Sequence, residues 1–73
     1  MTTAEMHRKA FRIAYNYLTK YASLIAQRHD AETWQEAIEA MPLCSAQSDS
    51  TPLILNLMEV CYNELVRIDN SHA

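Results

Sequence analysis

Three observations predict an all-α protein. The 73 residues include no glycine, the residue on which sheet proteins rely for tight turns at positive φ. Valine occurs only at Val60 and Val66, so the β-branched enrichment of strands is thin. Apolar residues recur at three- and four-residue intervals in both the first and last thirds of the chain, which is the period of a helix. The expected architecture is a small three-helix domain over residues 1–73, long–short–long, that associates as a helical-bundle homo-oligomer.

The first helix is expected over about 4–27. At about 100° per residue, Arg8, Lys9, Arg12, Asn16, Thr19, Lys20, Ser23 and Gln27 share an arc of roughly 120°. Phe11, Ile13, Tyr15, Tyr17, Leu18, Tyr21, Leu24, Ile25 and the intervening alanines fill an arc of about 220°, twice what a surface helix needs. Arg28-His29-Asp30 interrupts the pattern. Asp30 can cap the next helix, and Thr33-Trp34-Gln35-Glu36 has the form of a capping box. This second helix is expected over about 32–41, docked by Trp34 and Ile38 and ended by Pro42, which lacks the N–H a helix interior requires.

Residues 42–50, PLCSAQSDS, read as a flexible loop. Thr51-Pro52 then supplies a hydroxyl cap followed by proline at the first helical position. The third helix is expected over about 52–69, with the last four residues fraying. Its polar residues Asn56, Glu59, Asn63 and Arg67 occupy about 80° of arc, and apolar residues occupy most of the rest.

Charge divides unevenly along the chain. Residues 1–28 carry five of the six cations against Glu5 alone, a balance of +4, while the remainder carries −7 within a net charge of −3. No phosphate-cradling loop or nucleophile elbow can be written without glycine. Of the metal-ligating types, His7, His29, His72, Cys44 and Cys61 lack any paired spacing used by metal sites. Cys44 and His29 stand at opposite ends of a helix, and Glu36 and Glu39 face outward. The sequence therefore points away from an enzyme, a cofactor or a metal. The opening residues MTTAEMHRKAF contain no apolar run of signal-peptide length, and no stretch reaches the ~18 apolar residues of a membrane span. A cytoplasmic setting with both cysteines as thiols is expected.

A short chain with two over-wide apolar arcs and no staple is expected to share its apolar surface with a partner. The leading expectation is a non-enzymatic protein–protein interaction module, a homodimer or a binder of another protein, with Tyr17, Tyr21, Leu24, Leu53, Leu57 and Val60 at the interface. The alternative is an accessory nucleic-acid binder using Arg8, Lys9, Arg12 and Lys20 along a phosphate backbone. It ranks lower because the chain is acidic overall and its third helix opens with Pro-Leu-Ile-Leu, which cannot read base edges.

Overall fold

The computed structural model describes residues 2–71, and within them every regular element is a helix: α1 (Thr3–Arg28), α2 (Ala31–Gln47) and α3 (Pro52–Asn70). Thr2 caps α1, its hydroxyl accepting from the Glu5 N–H at 3.2 Å. This starts the helix a residue earlier than the apolar period suggests. His29 ends it in the left-handed region at φ 51°, its N–H donating to the Ile25 carbonyl at 3.1 Å.

Asp30 is the cap of α2, its carboxylate accepting from the Thr33 N–H at 2.8 Å. Thr33 is not the capping residue of the expected box, because it lies inside the first turn and is buried. Its hydroxyl has no partner of good hydrogen-bond geometry. Beside the Asp30 carboxylate, that hydroxyl and the Thr33 N–H still hold Asp30 below its ordinary pKa.

Pro42 does not end α2, and the expected flexible loop over 42–50 is largely helix. The helix runs through Pro42 to Gln47. Pro42 deprives the Ile38 carbonyl of its N–H partner, but Ile38 and Pro42 share an exposed face where water can replace it. The turns beyond are held from the other side, where Cys44 packs on the core and Ser45 is buried. The connection to α3 is correspondingly short. Asp49 and Ser50 adopt φ of 56° and 50°, and Ser50 N–H reaches back to Ser45 O at 2.8 Å while Asp49 N–H reaches Ala46 O at 3.1 Å. This is the paired closure of a Schellman turn, made here without glycine. Thr51 occupies the cap position of α3 but makes no side-chain cap bond. Asn70 is helical, and His72 and Ala73 lie outside the described residues.

Helices α1 and α3 run parallel. The Cys61 thiol donates to the Ala14 carbonyl at 3.5 Å near the middle of both, and His29 meets Asp69 at 3.3 Å at their far ends. Helix α2 returns between them, antiparallel to α1, with the Tyr17 hydroxyl donating to the Ala37 carbonyl at 2.6 Å. The α1/α3 contact is the most extensive and α2/α3 the least. The molecule measures 43 × 19 × 16 Å, its long axis set by α1, whose 26 residues rise about 39 Å. One core joins Ile13, Tyr17, Tyr21 and Ile25 of α1 to Ala37 of α2 and to Ile54, Met58, Cys61 and Leu65 of α3. No described helix is long and apolar enough to cross a membrane.

Candidate functional site

The three helices leave three outer grooves, and the helical phase of each residue decides which groove it lines. On α1, Tyr17 marks the α2 side and Ala14 the α3 side. Residues beyond Ala14 in phase, Leu18, Phe11, Ala22 and Tyr15, therefore border α3 on the side away from α2. On α3, Tyr62 marks the α2 side, its ring meeting Trp34 edge-on at 5.8 Å. Leu53, Leu57 and Val60 lie on the opposite flank, facing the same open groove as Phe11 and Tyr15.

That α1/α3 face is open and apolar up to Val60, beyond which the Glu64–Arg67 pair lies on the same flank of α3. Phe11, Tyr15 and Val60 are 55%, 67% and 62% exposed, while Leu18, Ala22, Leu53 and Leu57 are half-buried against the core beneath them. Of the interface residues expected from sequence, Leu53, Leu57 and Val60 fall here. Leu24 is half-buried near α2, by its phase on α1.

Tyr17 and Tyr21 face away from the open α1/α3 groove, toward α2. They are 4% and 7% exposed, with ring centroids 4.9 Å apart inside the chain's own core. Burial, foremost, pushes the Tyr17 hydroxyl pKa well above its usual value, and the hydroxyl serves as donor to α2. The aromatic pair of α1 that reaches solvent is Phe11 and Tyr15. Their signal was phase: Tyr15 lies close to Arg8 on the helical wheel, at the polar border.

The second outer groove, between α1 and α2, is polar on one wall. It encloses about 500 Å³, with Lys9, Arg12, Asn16 and Lys20 along the α1 rim. Ala40, Leu43 and Gln47 form the α2 rim, and Leu43 is 68% exposed. Lys20 sits 5.2 Å above the Tyr21 ring centroid at the groove floor. Three of the four expected anion-contacting cations thus line one groove, whereas Arg8 lies outside it and shares a separate shallow depression with Glu5, Lys9 and Arg12. Among the described residues the ion pairs are His29–Asp69 and Arg67–Glu64. None of Arg8, Lys9, Arg12 and Lys20 takes part in one.

The same α2 rim continues toward the helix N-terminus as acid. Glu32, Glu36 and Glu39 share the helical phase of Leu43 to within about 40°, are exposed, and also lack an ion pair among the described residues. The third groove, between α2 and α3, carries Ile38 and Leu55, both about half exposed, around the Trp34–Tyr62 contact.

Cys44 and Cys61 are free thiols, and burial raises the pKa of each, outweighing the opposing pull of Lys20 on Cys44. A thiol held protonated is a poor nucleophile. Among the described residues no three His, Cys, Asp or Glu side chains are grouped to hold a metal ion. Compared with models of protein families, with curated proteins and with solved structures, the chain matches none.

Proposed function

We propose that the protein is a small interaction module that acts by binding rather than by catalysis, and that a second copy of the chain covers its α1/α3 face. The observation that carries this reading is the exposure of Phe11, Tyr15 and Val60 in line with half-buried Leu53 and Leu57. Two parallel helices make a groove on each side. Helix α2 fills one of them, and the other has the apolar lining of a helix-packing surface. A second copy related by a two-fold axis presents the same groove in return, so the contact is closed and self-complementary. Tyrosine and phenylalanine at its edge suit this role, since they bury large area with few rotatable bonds. A reducing compartment such as the cytoplasm suits a module whose two cysteines are thiols.

Light scattering across a concentration series at high salt tests the reading. The wild-type chain is expected to approach twice its 8.4 kDa monomer mass. The Tyr15→Asp/Val60→Asp variant should stay at monomer mass with an unchanged helical circular-dichroism spectrum, because both side chains are exposed. A wild-type chain that stays monomeric at every concentration would overturn it.

A further inference from the structure

The α1/α2 face has its charges sorted end to end. Because the two helices are antiparallel, the C-terminal half of α2 lies beside the N-terminal two-thirds of α1, where Leu43 and Gln47 share a groove with Lys9, Arg12 and Lys20. The N-terminal half of α2 brings Glu32, Glu36 and Glu39 to the other end of the same face. Three cations stand at one end and three carboxylates at the other. No member of either set is in an ion pair among the described residues.

A face that is cationic at one end and acidic at the other matches itself when rotated by half a turn. We infer that the α1/α2 groove is a second, electrostatic docking site for another copy of this chain, in which the Glu32, Glu36 and Glu39 edge of one α2 lies over Lys9, Arg12 and Lys20 of the other copy. The inference rests on the self-association reading but uses a different face. The acidic edge is shorter than the cationic rim and fits within it. Lys9 to Lys20 spans about 16 Å along α1, and Glu32 to Glu39 about 10 Å along α2. With a two-fold axis near Ala40, Glu36 of one copy stands level with Cys44 of the other, the residue that shares the groove with Lys20. Glu32 stands level with the Gln47 end, where Lys9 and Arg12 lie. Exposed Leu43, close to the axis, supplies the apolar contact at the centre.

A phosphate backbone fits the groove less well. Cations line one wall only, the opposite wall is Ala40 and Leu43, and the acidic end of the same face repels it.

Charge exchange provides the test. The wild-type chain, the K9E/R12E/K20E variant, the E32K/E36K/E39K variant and an equimolar mixture of the two variants are compared by light scattering at about 20 mM and about 500 mM salt. The wild type should show a mass increase at low salt that high salt removes. Each variant alone should lose that step, its association constant falling roughly tenfold or more. The mixture should regain it, because reversed rims meet reversed edges. All substituted residues are exposed except half-buried Lys9, and circular dichroism checks that each variant is folded.

A low-salt step that survives in either variant overturns the inference, as does a mixture of folded variants that does not recover it. Absence of the step in the wild type also overturns it, in favour of phosphate binding where a short DNA duplex is retarded at low salt and K9E/R12E/K20E abolishes the retardation. The two contacts fail separately. Association that persists at high salt reports the apolar α1/α3 face, and the salt-sensitive step reports this one.

Discussion

Against α1, helix α3 sets Ile54, Met58, Cys61 and Leu65, all buried, whereas α2 sets buried Ala37, whose carbonyl accepts a hydrogen bond from the Tyr17 hydroxyl. The first contact is made of apolar volume. The second is made of a small side chain at close approach and a single buried hydrogen bond. The difference teaches where stability and adjustability reside in a chain of this size: α1 and α3 form the frame, and α2 is fastened to it at points. The two outer faces of α1 divide in the same way, one apolar beside α3 and one charged beside α2.

The contrast is most directly broken at Leu65, which is fully buried on α3. Leu65→Ala should cost about 2–5 kcal/mol through lost burial and the cavity left behind. Urea denaturation measures it, and a loss below that of the next variant would mean that α3 is not the frame. Tyr17→Phe keeps the ring but removes the donor to Ala37 O. It should cost about 0.5–1.5 kcal/mol, the net worth of one hydrogen bond, because Ala37 O keeps its helical partner within α2, with hydrogen exchange quickening in α2 before α3.

The smallest effect concerns the start of α2. Asp30 has its pKa lowered by the Thr33 hydroxyl and N–H, so its folded form favours the carboxylate. Its contribution is complete above the ordinary Asp value of about 3.9 and is lost as pH falls through the lower folded value. Asp30→Asn retains a capping oxygen and should flatten the part of the acid transition seen in α2. The slope from Glu64, also held low by its bidentate pair with Arg67, should persist. An acid transition identical to wild type would show that Asp30 plays no part in fastening α2.

The three helices could be read from periodicity because each has a polar stripe that fixes its phase. What could not be read directly was which part of a 220° apolar arc turns inward. Tyr17 and Tyr21 go inside while Phe11 and Tyr15 stay out. Ala10 and Ala14 are both buried, and Ala14 meets Cys61 of α3 through its backbone carbonyl. The stripe Ala10–Ala14–Tyr17–Tyr21–Ile25 follows the core spacing of a packed helix, so a signal was present and was masked by the width of the arc.

Pro42 misled for a different reason. A proline ends a helix that stands alone, but the turns after it are held by Cys44 and Ser45 against the core, a tertiary effect that no local rule contains. The chain has no glycine to take up left-handed positions. His29, Asp49 and Ser50 adopt them nonetheless, and asparagine-like or short polar side chains tolerate that region better than most.

The parallel course of α1 and α3 has a kinetic consequence. Ala14 and Cys61, joined at the centre of the frame, are 47 residues apart in sequence, so the main apolar contact cannot form from neighbouring segments as it does in a helical hairpin. The chain must close a long loop before most of its burial is gained. Such a topology should fold more slowly than antiparallel helical bundles of equal length, with a rate governed by how early α2 positions α3 against α1.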